Sequence, residues 1–505
     1  MRTFRIWLLL FVAAHGVVRP ANANVSGIDI DVRTTGNDGN GGGYANQTLT
    51  SSQISTPACT GGTDFSQSDT AHVTFNGTTV TATTVGAGAT ITITGYTVIT
   101  GDKCNVLQIT GGVNYTASFY LITSVSTGAN TWTLDHNVTT GAGTAMTGAM
   151  GGALATPAQA NAAAIALGTY NHVHIKTGTY TFTTTPFAYT SPQPIGLIVE
   201  GYGAAHGDMG TKPLITTATN SIKLATFTSS SDGAKTFRNL SLSNTAGTRA
   251  EGFFAPSSFG AALVLDTCIL DGFSYGVRGD LNVSERFVGL QIINTEIKNS
   301  TVTGILNDGN TYLYLAYIHD NTGYGLDNGT QHQPFTYWSV NYSVFASNTI
   351  DGIRFLGTSG LESMSVDHSA FYKNGVAGIN WSSLLGGLTL TNNVFDQNTT
   401  FGLGGSNAPA PGFFNRNNAY YLNTTAARSP NWAGSSSTGD VTLTAEPFTT
   451  PASGVFTANS TAGGGAALKG AGYPGASILG TGGSDIGPLQ SVASAGGSSN
   501  SAYVQ

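Results

Sequence analysis

One nine-residue phrase recurs along the middle of the chain. It reads FASNTIDGI at 345–353, FYKNGVAGI at 371–379 and FDQNTTFGL at 395–403. With the first aromatic as anchor, equivalent positions are Ile269, Ile297, Ile318, Phe345, Phe371 and Phe395, spaced 21 to 28 residues apart. Seven residues after the anchors stand Gly276, Gly304, Gly325, Gly352, Gly378 and Gly402, and the next residue is always Val, Ile or Leu. Three after the anchors stand Gly272, Ser300, Asn321, Asn348, Asn374 and Asn398. Five before them stand Val264, Ile292, Leu313, Val340, Val366 and Leu390. The six blocks align without a gap, so all length variation falls between them.

A short fixed period means stacked units that bury a shared core. Each block alternates apolar and polar residues, which is strand chemistry. A propeller blade needs about 40–45 residues, so these blocks are too short for one. One turn of a parallel β-helix fits. Its apolar positions point inward and stack on the next rung, about 4.8 Å away. The column at +3 is expected to supply left-handed turns and to bond along the stack. The glycine at +7 is expected to ease a tight bend. Weaker rungs at 237–244 and 419–423 extend the solenoid from about 169 to about 425. Just before it, TPAQANAAAIAL (156–167) has a Thr N-cap, a Pro at the first helical position and an Ala-rich body. This predicts a short helix covering the open end, ahead of the strand in HVHIKTGTYTF (172–182).

These rungs resemble the right-handed, single-stranded parallel β-helix repeats of the pectin-lyase-like superfamily, over roughly half of the chain. The segment GGGAALKGAGYPG to GSDIGPLQ (463–490) is similar to the terminal segment of many secreted bacterial β-helix proteins. Residues 63–141 resemble an N-terminal β module that precedes such helices in bacterial and phage-associated proteins. The expected fold class is therefore all-β. Its parts are a signal peptide (1–23), a β module (24–150), a capped β-helix (155–430), a C-terminal cap segment (431–490) and a flexible tail (491–505). The resemblance implies a fold and leaves the activity open, because this fold hosts lyases, hydrolases, isomerases, adhesins and tailspikes.

Composition narrows the partners. Lys and Arg number 19 in 505 residues and the net charge is −7, which excludes a nucleic-acid binder. The N-terminus pairs a basic MRTFR with a short apolar run and small residues at Ala21 and Ala23. This reads as a signal peptide cut after Ala23, hence an extracellular protein with no membrane span after cleavage. Of three cysteines, Cys59 and Cys104 share the N-terminal region and could pair after export, while Cys268 lies in a rung.

Proteins of this fold usually bind polysaccharide along an outer sheet face. Positions +9 and +11 should point outward, which would gather Asp280, Asp308 and Asp327 beside Arg278 and Arg354. Such carboxylates could hold Ca²⁺ or divide acid and base roles, and the arginines could meet a uronate. These five are the candidate catalytic residues, and the three aspartates the candidate metal ligands. Tyr312, Tyr314, His332, Phe335 and Tyr337 are candidate sugar-stacking residues. Trp338 is read as core. Asp367 and His368 are read as structural, and His319 and Asp320 as a solvated turn. The polygalacturonase motif set is absent, its nearest echo being NTE (294–296).

Two functions follow. One is a protein that binds and degrades polysaccharide or a cell-surface glycan, as a lyase or glycoside hydrolase. The other is a non-catalytic adhesin or fibre-like surface protein. Either would act as a monomer or a homotrimer.

Overall fold

The structure is a computed structural model. It describes residues 27–45, 59, 61–168, 171–189, 196–228, 234–256, 259–279, 286–329, 336–356, 362–382, 387–406, 413–433, 437–474 and 484–489. The signal-peptide and tail assignments lie outside the described residues, as do Asp280, His332 and Phe335.

The chain forms a parallel β-solenoid. Each full rung gives one strand to each of three sheets, which hold twelve, eleven and ten strands. The rung around Phe371 contributes Ser363–Asp367 to the first sheet, Ala370–Tyr372 to the second and Ala377–Trp381 to the third. Each strand pairs in parallel with its counterpart one rung on. The repeat period is therefore the perimeter of the tube.

The interior follows the anchor column. Phe345, Phe371, Phe395 and Tyr420 stack face to face, with centroids 5.2, 5.1 and 5.2 Å apart. Such ring pairs add about 0.5–1.5 kcal/mol each beyond burial. The +3 asparagines are buried and form a ladder. Asn321 donates its amide to Asn348, Asn348 to Asn374, Asn374 to Asn398 and Asn398 to Asn423, at 2.8–3.0 Å. A second ladder runs at −2, where Ser343, Ser369 and Asn393 accept backbone N–H bonds from the rung before.

Three details differ from the sequence reading. The left-handed turn falls at +2, on Asn299, Asp320, Ser347, Lys373, Gln397 and Leu422, so the +3 asparagines are ladder residues alone. The anchor of the 269 block is Leu270, which pairs with Ile297; Ile269 faces outward. Leu265 likewise replaces Val264 as its core partner. That rung is one residue shorter before Gly276, and Gly272 takes the left-handed corner. The +7 glycines do not serve a bend. A Cβ on Gly352 would meet the Gly378 carbonyl oxygen at 2.6 Å, so rung-to-rung contact is what requires glycine.

The helix Pro157–Leu167 forms where expected, with Thr156 Oγ1 accepting the Gln159 N–H at 3.2 Å. Ala160, Ala163 and Ala164 join the solenoid core. Their small side chains let the helix lie close over the first rung.

The solenoid starts earlier in sequence than its repeats suggest. Ile28–Val32, assigned by sequence to the N-terminal module, pairs in parallel with His172–Lys176. Gly43–Ala45 covers its other edge in antiparallel fashion. A seven-stranded antiparallel sheet, running from Val73–Asn76 to Thr139–Met150, is thus inserted between the first strand and the cap helix. It has its own core around Phe75, Trp132 and Met146. At the other end, Val441–Thr442 adds a last strand to the second sheet. The following segment lays Phe448, Phe456, Leu468 and Ile486 on that sheet's outer face, against Val344, Ala370, Tyr372 and Val394. The second sheet's outer face is covered there.

Candidate functional site

Strand register sorts the outward residues of the first sheet into two columns. One runs Asp29, His172, Ile198, Thr236, Val264, Gln291, Tyr312. The other runs Asp31, His174, Glu200, Arg238, Asp266, Ile293, Tyr314. The N-terminal rungs therefore carry charge and the middle rungs carry aromatic rings, on one face.

The charged end is dense. Asp31 is fully buried and accepts bonds from Arg33 (2.9 Å) and Tyr202 (3.0 Å), with His206 Nε2 at 2.7 Å. His174 Nε2 lies 3.1 Å from Asp29 Oδ1. The His174 ring stacks on His206 at 3.8 Å and lies 3.9 Å from that of His172. Burial lowers the His174 pKa and outweighs Asp29, which raises it; His172 and His206 lower it further. Arg238 stands between two carboxylates, with its Nη1 3.5 Å from Glu200 Oε2 and its Nε 3.2 Å from Asp266 Oδ2. Burial pushes the Glu200 carboxyl up, but His172, His174 and Arg238 together outweigh it and leave a net lowering. Asp266 is the more exposed of the pair.

The aromatic end contains three residues expected to stack on sugars. Tyr312 lies 6.1 Å from Tyr337, and Tyr314 lies 5.8 Å from Tyr342. Tyr337 is 37% exposed, whereas the neighbouring Trp338 is fully buried, as expected for core. The alternation of the strand sends Tyr337 out and Trp338 in.

The expected carboxylate group lies on the third sheet. Its outward column reads Arg278, Leu306, Asp327, Arg354, so Leu306 separates Arg278 from the rest. Arg354 holds Asp327 with two bonds, Nε to Oδ1 at 2.8 Å and Nη2 to Oδ2 at 2.5 Å. The guanidinium also lies over the Tyr324 ring at 3.8 Å. Arg278 pairs instead with Glu251 at 2.6 Å. Asp308 is buried at 4% exposure. A further carboxylate joins this group: burial pushes Asp351 up to about 6, against the Asn380 amide, the Ala377 N–H and Arg354, which lower it. Asp327 and Asp351 are both nearly inaccessible, and Asp327 already has both oxygens on a cation.

Two other expectations resolve locally. His319 ends a strand at 8% exposure, held by Glu296 at 2.9 Å and Asp320 at 2.7 Å, so it is not a solvated turn residue. Burial raises the Glu296 carboxyl, yet His319 and Lys298 bring it down to about 2. Asp367 and His368 sit at a corner, and His368 Nε2 lies 2.6 Å from Ser484 Oγ, which ties down the C-terminal segment.

The charged end of the first sheet is what the sequence reading missed. In the sequence, HVH at 172–174 reads simply as the start of an alternating strand. The available signal was composition: three of the nine histidines fall at 172, 174 and 206.

No family of known proteins matches the sequence, and no curated protein matches it. Several solved structures resemble the fold. Pectate lyase Pel9A is 14% identical, with 67% of this chain and 91% of that one covered and a TM-score of 0.37. The A-module of mannuronan C-5 epimerase AlgE6 from Azotobacter vinelandii is 14% identical, covering 55% and 91%, with a TM-score of 0.34. The Agl-KA catalytic domain is 14% identical, covering 72% and 76%, with a TM-score of 0.41. Similarity this low leaves the site to be judged on its own geometry.

Proposed function

We propose that this chain is a secreted protein that binds an extended polysaccharide along the outer face of its first sheet and degrades it at the charged end of that face. The observation that carries this reading is the shared outward register of Tyr314 with Glu200, Arg238 and Asp266, with Tyr312 in the neighbouring column of the same face. Tyrosine faces bury sugar rings while their hydroxyls stay wet. Arg238 offers a fork for a uronate carboxylate or a sugar hydroxyl. Glu200 and Asp266, on either side of it, supply two carboxylates that could serve as base or nucleophile. The N-terminal leader read from the sequence supports export.

A non-catalytic binder is the second reading. It is favoured by the way Asp31 and Asp327 have both oxygens engaged by neighbouring side chains.

The test incubates the purified mature chain with a polysaccharide panel and follows unsaturated-product absorbance and reducing ends. Product lost in Asp266→Ala supports degradation at this end. Binding without product supports the second reading. Neither binding nor product, with the protein folded, removes both.

A further inference from the structure

We infer that Asp29, His172 and His174 form a binding site for a divalent transition metal of the zinc class. This goes beyond the glycan reading and does not depend on it. Asp29 and His172 are register partners on adjacent strands, and His174 lies two residues on, on the same face. One ligand atom from each lies within 4.8 Å of the others. Zinc ligands at about 2.0–2.1 Å in a tetrahedron stand about 3.3 Å apart. The 3.1 Å between His174 Nε2 and Asp29 Oδ1 already has that spacing.

The second observation is unsatisfied chemistry. His172 Nε2 is buried without a hydrogen-bond partner, and Glu200 Oε2, at 3.6 Å, is too far to serve as one. His174 is 4% exposed, and its Nε2 faces Asp29 Oδ1. A buried polar nitrogen left this way is costly unless something binds it. Two imidazole nitrogens and one carboxylate oxygen suit zinc, cobalt or nickel. Calcium and magnesium prefer all-oxygen shells, so they are poor occupants. Glu200, whose Oε1 has no hydrogen-bond partner, lies beside the group, with Oε2 3.6 Å from His172 Nε2.

The place in the fold gives such a site a consequence. Asp29 lies before the inserted module and the histidines lie after it. A bound ion would clip the first strand to the first rung across that whole insertion.

The experiment strips the full mature chain with a chelator, then titrates Zn²⁺ alone by calorimetry and follows melting. Co²⁺ serves as a spectroscopic probe. The inference expects one Zn²⁺ per chain, a melting point higher by about 5 °C at saturation, and visible Co²⁺ bands of a tetrahedral site. His172→Gln and Asp29→Asn should each weaken Zn²⁺ at least about tenfold, as expected when a ligand is removed or neutralised. Retained circular dichroism in these variants separates ligand loss from misfolding. No Zn²⁺ uptake by the wild type, unchanged uptake by folded variants, or Ca²⁺ binding as tightly as Zn²⁺ would overturn it.

Discussion

Asn374 sends both its backbone N–H and its side-chain amide to one oxygen, Oδ1 of Asn398, at 3.1 and 3.0 Å. Its own Oδ1 receives the same pair of bonds from Asn348. Each ladder residue therefore satisfies a corner of the rung before it. Asn374→Ala strips acceptors from Asn348 and should cost about 3 kcal/mol. Asn423→Ala, at the partly exposed end of the ladder, should cost about 1 kcal/mol. Urea midpoints of the two variants check this. Equal losses would mean that the ladder is decoration on a fold held by other contacts.

Gly352 tests rung-to-rung packing. Its missing Cβ leaves room for the Gly378 carbonyl, with the Phe371 ring also close by. Gly352→Ala should cost about 1–3 kcal/mol through overpacking. Gly86, with nothing near an added Cβ and no positive φ, should tolerate alanine. Thermal melts of the two variants compare them.

Asp396 couples the C-terminal segment to pH. Burial, and then the Glu446 charge, raise its carboxyl far above the ordinary range. The folded state thus holds this proton more tightly than the unfolded one. Its contribution to stability is present at low pH and falls as pH rises from the usual carboxylate range toward the raised value. Asp396→Asn should flatten that slope and melt higher than the wild type at pH 8. Melting curves at pH 5 and pH 8 decide it, and parallel shifts in both proteins would contradict it.

Cys59 and Cys104 are disulfide-bonded across 45 residues, as the sequence allowed. Closing a loop of that length contributes about 4 kcal/mol on the chain-entropy account. Both cysteines pack in the core cluster of the solenoid, so Cys59→Ser should lower the melting point of the chain. Calorimetry of both forms checks this, and an unchanged melting point would contradict it.

Much of this fold was legible because its signal repeats. Phe345, Phe371 and Phe395 announce a stacked column, and Thr156–Pro157 announces a helix start. Ile269 misled because Leu270 beside it is equally apolar, and a one-residue shortening changes the register without changing the composition. Ile28–Val32 could not be placed, since its partner strand follows only after the whole inserted module. The same separation hid the charged end of the first sheet. Asp29 and His172 meet only through that pairing, whereas Tyr312 and Tyr337 sit inside recognisable repeats. Expected outward positions on the third sheet were correct for Asp327 and Arg354, but alternation cannot reveal that the two neutralise each other.

The most direct test of the account is glycan binding by the wild type and by a Tyr312→Ala, Tyr337→Ala double variant, measured by calorimetry on ligands from the polysaccharide panel. The account predicts that the double variant folds normally and binds at least about tenfold more weakly, as expected from two lost stacking contacts. Lys373→Ala, at a second-sheet corner, should bind as the wild type does. Undiminished binding by the double variant, or no glycan bound by the folded wild type, would contradict the assignment of the first-sheet face.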